Sequence, residues 1–426
     1  MIKKIKVEDL EVGMMVVDFN APWMDHPFLT NKKHIRHASE IDLILEHNIK
    51  EVYIDTEQGK DSRKAVSAEE AHKEVREQMR QEVLEAGEEE PEPAPEPEVG
   101  PLSPFEMELR KARQVYTEAK SMVKDLLQQA RLGKSIDGER AVATVDSMVD
   151  SIFRNPDALT SLSRLKSFDD YTFQHSLNVA VLALALGRHL GLVKNELRRL
   201  GIGAILHDVG KMRVPEQILN KPARLTEEEF AVIKTHSLHG AQILLTTGSL
   251  PEECAAVALN HHERFNGQGY PRGLHGLEIG KFGLISAIAD VYDAISSDRV
   301  YHKGMPSFQA MQKIYEWGKT DFYPIYVQKF IQCIGIYPVG SVVKLDTEEV
   351  AVVSRQNREQ LLRPQVRIVA DETGEPLAEP EPADLTEPDP TGAKPFLRSI
   401  KAPVDPKRIS VDVDAVLSPV AVQSAA

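Results

Sequence analysis

The sequence predicts a multidomain protein of the α+β class, in which an all-α core is flanked by a small N-terminal mixed α/β domain and a short β-containing C-terminal appendage. Residues 156–338 form a succession of helical segments joined by Gly, Pro and Asn turns, without an alternating strand pattern. Short β runs occur before residue 60, and two more follow residue 337. A length of 426 residues also favours two or three domains.

The N-terminal domain is predicted to span residues 1–60. Residues 14–17 and 52–54 are typical of short strands, and residues 39–47 are typical of a helix capped by Ser39. Such a unit has a marginal core, so we expect it to need the rest of the chain or a partner. Residues 61–102 follow as a charged helix and an acidic linker, because alternating Pro and Glu forms neither helix nor strand ladder.

Three further segments are predicted around the helical core. Residues 103–155 form a helical connector that starts with a capping box, Ser103 followed by Glu106. Residues 339–370 form the β appendage, with strands at residues 338–343 and 365–369. Residues 371–426 are rich in Glu, Pro and Asp, so we expect a mostly disordered tail.

The composition argues against several classes of protein. A formal net charge of −14 argues against long DNA or RNA as the main partner, but a small anionic substrate needs only a local cationic pocket. The two cysteines are far apart and indicate no disulfide framework or thiolate zinc site. No stretch approaches the ~20 apolar residues that cross a bilayer, and no signal-peptide core is found, so we expect a cytoplasmic protein.

The most informative residues are histidines and aspartates in apolar surroundings between residues 171 and 305. His175 begins a helix whose apolar face continues at the i+4, i+7, i+8 and i+11 positions. An unpaired carboxylate in such surroundings costs at least several kcal/mol, and a bound metal ion removes that cost. The candidate ligands are His175, His207, Asp208, His236, His261, His262 and Asp290.

Each of these residues taken alone is more often structural than metal-binding. A lone helical histidine usually packs in a core, and Asp290 could cap a helix or pair with an arginine. Their joint occurrence at successive apolar boundaries favours a metal centre. Imidazole and carboxylate donors without a thiolate suit Fe, Mn, Zn or Ni better than Mg or Ca.

Two motifs resemble the signatures of the HD-GYP branch of the HD-domain phosphohydrolases: HDVGK at 207–211 and HHERFNGQGYP at 261–271. The family pattern is also matched by YTFQHSLNVA at 171–180, VPEQILNKP at 214–222, LTEEEFAVIKTH at 225–236 and AIADVYDAISSDRVY at 287–301. Residues 6–20 and 26–35 resemble the small domain of unknown function often found ahead of HD-GYP domains. The resemblance implies an HD-type helical catalytic core that hydrolyses cyclic di-GMP.

The resemblance also implies that the seven candidates bind two divalent metal ions, Fe or Mn, and that Asp208 bridges them. His207, Asp208 and Lys211 are then expected to be catalytic. Lys211 is expected to contact a substrate phosphate or the attacking hydroxide; an ion pair with a ligand carboxylate is the alternative. Two ions about 3.5–4 Å apart polarise a phosphoryl oxygen and lower the pKa of water, so in-line attack can expel a ribose 3′ oxygen.

The resemblance implies that residues 267–271 form a loop against the substrate, with glycines that allow close backbone approach or positive φ. Turn formation alone is the alternative for Gly267 and Gly269. Arg299 has the best family support as a contact to the second phosphate or a guanine edge, and the other cationic residues could equally be solvated. The predicted substrate-binding residues are Gly267, Gly269, Tyr270, Pro271, Arg272, Arg299, His302 and Lys303.

Three positions depart from the family pattern. Asn266 stands where Asp is usual, which removes a charge. Tyr171 stands where members with three metals carry Glu, which favours two metals. His302 stands where another basic residue is usual, so a phosphate contact there depends on its protonation. None of these changes removes a predicted metal ligand.

The sequence therefore predicts a phosphodiesterase that converts cyclic di-GMP to linear pGpG, with further cleavage to GMP left open. The alternatives are a catalytically weak cyclic di-GMP receptor, which Asn266 and His302 leave open, and a generic HD-domain nucleotide phosphohydrolase, against which the Gly-Tyr-Pro segment argues. The N-terminal domain lacks the marks of a phosphoryl-accepting receiver. Contact with a signalling partner or a homo-oligomer through this domain is a hypothesis.

Overall fold

The structure is a computed structural model that describes residues 1–21, 28, 32–88, 105–163, 171–221, 225–297, 304–406 and 411–417. The predicted capping residue Ser103, most of the acidic linker, and the cationic candidates Arg299, His302 and Lys303 lie outside these residues. No described helix is long and apolar enough to span a membrane.

The N-terminal domain is a five-stranded sheet in the order β3-β2-β4-β1-β5, with one helix. Antiparallel pairing places Ile5 opposite Val52, and both are buried with Ile44 of the helix. The helix begins one residue earlier than predicted, and its N-cap is His37, not Ser39. The elements are β1 Ile2–Lys6, β2 Met15–Asp18, β3 Lys33–His34, α1 Ala38–Glu46, β4 Glu51–Asp55 and β5 Val66–Ser67.

The described residues from 68 to 334 are mainly helical, as the absence of strand alternation predicted, with one isolated antiparallel bridge between Asn266 and His275. The helices are α2 Ala68–Glu88, α3 Phe105–Arg131, α4 Gly138–Arg154, α5 Pro156–Leu162, α6 Tyr171–His189, α7 Lys194–Ile205, α8 Glu216–Leu219, α9 Glu227–Lys234, α10 His236–Thr246, α11 Cys254–Asn260, α12 Gly280–Ser296, α13 Ser307–Trp317 and α14 Pro324–Ile334. Short 3-10 helices follow α7, at Val209–Arg213, and precede α12, at Gly276–Ile279.

Helices α6 and α12 form the centre of the helical core. The residues of α6 from Val179 to Leu186 are all buried, and α12 is buried along most of its length. A helix that is apolar on every side is stable only when other helices surround it. Helix α6 accordingly packs against α7, α12 and α3, so polar residues on α6 and α12 face other helices instead of solvent.

Helix α3 is fixed to α4 by a buried carboxylate. Glu108 has no exposed surface, and it accepts hydrogen bonds from the Arg154 guanidinium at 2.8 and 2.9 Å and from the Ser151 hydroxyl at 2.8 Å. The apolar side of α3, which includes Ala119 and Leu126, faces the same core. Both helices therefore belong to one hydrophobic unit with the central helices.

A second five-stranded antiparallel sheet follows the helices, in the order β10-β6-β7-β8-β9. Its strands are β6 Val342–Leu345, β7 Val350–Arg355, β8 Gln365–Ala370, β9 Pro376–Asp384 and β10 Ile400–Pro403, and a short helix α15, Val413–Leu417, packs against β7.

The prediction of a mostly disordered tail from residue 371 is wrong for residues 371–406 and 411–417. Strand β9 pairs with β8 over residues 376–384, and β10 pairs with β6. The acidic, Pro-rich composition suggested disorder, but β9 lies at the edge of the sheet, where proline is tolerated and charged side chains remain exposed. Leu385 and Ile400 are buried and join this segment to the core.

We predict that Glu108→Ala lowers the free energy of unfolding by about 2–3 kcal/mol, because it leaves the Arg154 guanidinium and the buried Ser151 hydroxyl without their partner. The cost is below that of a fully buried pair because the Arg154 side chain is 35% exposed. Urea unfolding followed by circular dichroism measures the change. Glu118→Ala, an exposed position on the same helix, is the matched control, and an equal effect of both substitutions would contradict the prediction.

Candidate metal centre

Three of the predicted metal ligands lie where α6 meets the end of α7. His175 is in the second turn of α6, not at its start as predicted, and His207 and Asp208 directly follow Ile205, the last residue of α7. All three side chains are buried, and one possible ligand atom of each lies within 4.8 Å of the others.

A second group joins Asp208 to three further histidines. His236 is the first residue of α10, and His261 and His262 directly follow α11. One possible ligand atom of each of these four residues lies within 4.8 Å of the others, and all four side chains are buried. Asp208 is thus shared by both groups.

The two oxygens of Asp208 face different histidines. Its Oδ2 lies 3.3 Å from His207 Nε2 and 4.0 Å from His175 Nε2. Its Oδ1 lies 3.4 Å from His236 Nε2 and 3.9 Å from His261 Nε2. A carboxylate between two sets of imidazole nitrogens can contribute one oxygen to each of two cations.

Asp290, in the middle of α12, completes the arrangement. Its Oδ1 lies 3.1 Å from His175 Nε2 and 3.9 Å from His207 Nε2, and its Oδ2 lies 3.8 Å from His262 Nδ1. The seven predicted ligands therefore lie together in one buried group, the His/Asp cluster, which consists of His175, His207, Asp208, His236, His261, His262 and Asp290.

Backbone carbonyl groups orient three of the histidines. The Nδ1 atoms of His207, His236 and His261 lie 2.8, 2.7 and 3.0 Å from the carbonyl oxygens of Ala204, Ile233 and Ala258, respectively. A carbonyl oxygen only accepts hydrogen bonds, so each Nδ1 carries the proton and each Nε2 keeps its lone pair towards the cluster. This is how histidine ligands of metals are usually held.

The two aspartates of the cluster are held in their ionised form. Burial opposes the charge of Asp208, but the Lys211 ammonium outweighs it, so the pKa of Asp208 lies well below its usual value. Burial also opposes the charge of Asp290, and the hydrogen bond with His175 keeps the pKa of Asp290 well below its usual value. Ionised carboxylates are the form that binds a metal ion.

Most of the histidines whose pKa is shifted are held neutral. Burial lowers the pKa of His236 to about 4, and it lowers the pKa of His261 and His262 well below the usual value. His175 differs: burial lowers its pKa, but hydrogen bonds with Asp290 and Asp293 outweigh this and raise it to about 9. A metal ion therefore has to displace a proton only at His175 among these four.

Unsatisfied polar atoms show that the cluster fits a divalent cation. His207 Nε2, Asp208 Oδ1 and His262 Nδ1 are buried and have no hydrogen-bond partner among the described residues. A buried polar atom without a partner costs about 1–3 kcal/mol, so three in one place need an explanation. One cation in each of the two groups would satisfy these atoms, and the nitrogen and oxygen donors match Fe, Mn, Zn or Ni.

Lys211 lies at the edge of the cluster in the 3-10 helix after Asp208. Its Nζ donates a hydrogen bond to Asp208 Oδ2 at 2.6 Å, and its side chain is 27% exposed. The structure thus shows the ion pair that was the alternative role for this lysine. Because its ammonium group is partly exposed beside the cluster, a phosphate contact remains compatible with this position.

The loop of residues 263–274, the GYP loop, covers one side of the cluster. Tyr270 stacks on His262 with ring centroids 4.6 Å apart. Gly267 has φ +80°, and a Cβ on Gly269 would lie 2.3 Å from the backbone nitrogen of Arg264. One glycine therefore supplies the positive φ and the other the close approach that the sequence suggested.

Of the other predicted substrate-binding residues, Pro271 and Arg272 lie in the GYP loop and three lie outside the described residues. Pro271 follows Tyr270 in the GYP loop. Arg272 is exposed, and its guanidinium donates a hydrogen bond to Asn260 Oδ1 at 2.9 Å. Arg299, His302 and Lys303 lie outside the described residues, so their predicted contacts stay predictions.

Two buried acids that support the site were missed by sequence reasoning. Asp293 Oδ2 accepts a hydrogen bond from His175 Nδ1 at 2.6 Å, and Asp293 Oδ1 accepts one from Asn178 at 2.9 Å. Glu263 accepts backbone hydrogen bonds from Arg272 and Leu274, each at 2.9 Å, and so ties the GYP loop together. The spacing of Asp293 three residues after Asp290 on one helix face was a usable signal.

The helical core and its His/Asp cluster define the class as an HD-domain protein. The HD domain family matches residues 146–323. A domain of unknown function, DUF3391, matches residues 2–141 and so extends into α3 and α4, beyond the predicted boundary at residue 60. A KOW domain associated with the HD domain matches residues 342–389, which include most of the C-terminal sheet.

Curated relatives identify the family within this class. A cyclic di-GMP phosphodiesterase of Pseudomonas aeruginosa is 37% identical over 375 residues, which are 86% of this chain and 85% of that protein. A cyclic di-GMP phosphodiesterase of Thermotoga maritima is 35% identical over 184 residues, 43% of this chain and 50% of that protein. The 3′3′-cGAMP-specific phosphodiesterase 1 of Vibrio cholerae is 40% identical over 141 residues, 33% of this chain and 32% of that protein. The chain belongs to the HD-GYP family.

We predict that Asp293→Asn weakens Mn²⁺ binding about 10–100-fold, because the variant loses the carboxylate that orients His175 and raises its basicity. Isothermal titration of the metal-free protein measures the affinity, and thermal unfolding without metal shows whether the fold is retained. Asp150→Asn, at an exposed position on α4, is the control. Unchanged Mn²⁺ affinity in Asp293→Asn would show that this hydrogen bond does not support metal binding.

Proposed function

We propose that this protein is a metal-dependent phosphodiesterase that hydrolyses cyclic di-GMP to linear pGpG. The observation that carries this proposal is the His/Asp cluster, in which Asp208 faces two sets of histidines. The P. aeruginosa cyclic di-GMP phosphodiesterase, which aligns with most of the chain, supports the choice of substrate.

The seven residues of the His/Asp cluster would hold two divalent ions, with Asp208 shared between them. We propose Fe or Mn, which the resemblance to the HD-GYP family implies and which are two of the metals that imidazole and carboxylate donors suit. When bound, two such metal ions would lower the pKa of a water molecule and place positive charge beside the phosphoryl oxygens. Attack of a hydroxide derived from water would form a new bond to phosphorus and break the bond to a ribose 3′ oxygen, which takes up a proton, so that a 5′-phosphate remains on the linear product.

Residues around the cluster would position the substrate and restrict water. Tyr270 stacks on His262 and so closes one side of the cluster with an aromatic ring. Lys211 would turn from Asp208 to a phosphate oxygen, because a metal-bound carboxylate needs the ammonium less. Arg299, His302 and Lys303 stay proposed contacts to the second phosphate or the guanine bases.

The reaction is tested with protein purified anaerobically and loaded with Fe or Mn. We expect cyclic di-GMP to be converted to pGpG, and chromatography of a time course shows whether GMP follows. Parallel assays with 3′3′-cGAMP and (p)ppGpp test the other substrates. Tight binding of cyclic di-GMP without product would instead indicate a receptor, and turnover of (p)ppGpp alone would indicate a generic phosphohydrolase.

The double substitution His207→Ala/Asp208→Ala is expected to abolish both metal binding and turnover, because it removes ligands from both groups of the cluster. Metal content after desalting, measured by mass spectrometry, reports the first effect directly. His239→Ala is the control, since His239 is on α10 near His236 but does not belong to the cluster. Full metal content in the double variant would refute the ligand assignment.

Lys211→Met is expected to lower kcat about 100-fold or more while two metal ions stay bound, because it removes one cationic donor to the phosphoryl group without removing a ligand. The straight apolar side chain keeps most of the lysine volume. Steady-state kinetics and metal analysis of the same preparation separate the two effects. A loss of metal with no separate kinetic effect would assign Lys211 only to the ion pair with Asp208.

A further inference from the structure

A polar contact fixes the side of the GYP loop that faces away from the cluster. The Asn266 side-chain amide donates a hydrogen bond to Asp321 Oδ1 at 3.0 Å, and the Thr320 hydroxyl donates to the same oxygen at 2.9 Å. The backbone N–H of Phe265 donates to the Asp321 carbonyl oxygen at 2.8 Å. Asp321 thus accepts two bonds from adjacent residues of the loop.

We propose that Asn266 and Asp321 form a latch that positions the GYP loop over the His/Asp cluster, and that the N-terminal domain holds this latch in place. Asn266 is in this sense a positioning residue, since its side chain acts through the loop. The inference rests on the proposed function for its kinetic consequences, but the latch itself can be tested without turnover.

The chemistry of the latch requires an amide at position 266. The side-chain oxygen of Asn266 accepts a hydrogen bond from the Gln268 backbone N–H at 3.0 Å, and its nitrogen donates to Asp321. An aspartate at this position would keep the first bond but would place a second negative charge beside the Asp321 carboxylate. This accounts physically for Asn266, one of the three positions at which the chain departs from the family pattern.

The other end of the latch reaches the N-terminal domain through α13. The Asp321 backbone N–H donates to the Trp317 carbonyl oxygen at 2.7 Å, and the Trp317 indole N–H donates to the Asn20 carbonyl oxygen at 2.7 Å. The Lys313 ammonium also donates to the Asn20 side-chain oxygen at 2.6 Å. Hydrogen bonds therefore run continuously from the turn after β2 to Asn266.

A cavity beside the latch explains why polar contacts matter there. It has a volume of about 570 Å³ and lies between the N-terminal domain and the GYP loop; Asn20, Trp317, Asn266 and Asp321 are among its lining residues. Where side chains face a cavity, close packing does not hold the loop from that side. On the cavity side the loop is then held by directional hydrogen bonds, which a single substitution can remove, while Phe265 also stacks on Tyr323 with ring centroids 5.2 Å apart.

The test uses the full-length, metal-loaded protein and the variants Asn266→Asp, Asp321→Asn and Asn266→Asp/Asp321→Asn. Two like charges at hydrogen-bond distance repel each other, so Asn266→Asp is expected to lower the hydrogen-exchange protection of the loop, including Phe265, by at least about tenfold. KM for cyclic di-GMP should rise by a similar factor, with metal content unchanged. The double variant exchanges the donor and the acceptor. On a logarithmic scale, it should reverse at least half of the fall in loop protection and at least half of the rise in KM.

Two further variants control this test. Asn195→Asp makes the same change of charge at an exposed site in the first turn of α7 and should alter neither readout. Trp317→Phe keeps a buried ring but removes the bond to Asn20, and it should lower protection of the GYP loop while leaving metal content unchanged. If Trp317→Phe leaves the loop as protected as in the unmodified protein, the Trp317–Asn20 bond does not connect the N-terminal domain to the latch.

The outcomes separate this proposal from the proposed function. Unchanged loop protection and KM in Asn266→Asp, in a protein that hydrolyses cyclic di-GMP, would overturn the latch alone. Absence of turnover in the unmodified protein would overturn the phosphodiesterase, and hydrogen exchange would still decide the latch. Failure of Asp321→Asn to rescue Asn266→Asp would also overturn it, because the double variant restores one donor and one acceptor at this contact.

Discussion

The burial of the Asp208 carboxylate is the constraint on which the rest of the site depends. A buried ionised acid is stable only when cations or several donors surround it. The Lys211 ammonium meets part of this need, yet Asp208 Oδ1 has no hydrogen-bond partner among the described residues. The surrounding helices place histidines beside both carboxylate oxygens of Asp208. The result is two groups of ligand atoms, each of a size that fits one cation, instead of a simple ion pair.

Helix ends make this arrangement precise. His207, His236 and His261 lie at the end of a helix or the start of one, where each Nδ1 can reach a carbonyl oxygen three residues earlier. The backbone thereby selects the imidazole tautomer that turns Nε2 towards Asp208. Asp293, on α12, orients the His175 ring in the same way through a side-chain hydrogen bond. The ligand within a helix is therefore oriented by a side chain, whereas the ligands at helix ends are oriented by backbone carbonyl groups.

Much of the fold and the cluster could be predicted because the signals are local. Apolar periodicity located the helical core, and the acids and histidines that interrupt apolar runs identified all seven members of the cluster. The C-terminal sheet was harder: β9 reads as an acidic, Pro-rich tail, and its strand conformation comes from pairing with β8. The role of Glu263 was missed because its partners are backbone N–H groups of the GYP loop, and the sequence of side chains does not show where backbone groups lie.

The sequence by itself determined which residue types are available for chemistry: a set of imidazoles and carboxylates, a lysine beside them and two glycines in a loop. The tertiary structure decided how they are used. Only folding sets Asp208 between two groups of histidines, places Asp293 behind His175 and brings Asp321 to Asn266. The contacts of Asp208 with His175 and His236, like the other two, join residues far apart in the chain. Their distances follow from how helices and domains pack, which no local pattern of residues encodes.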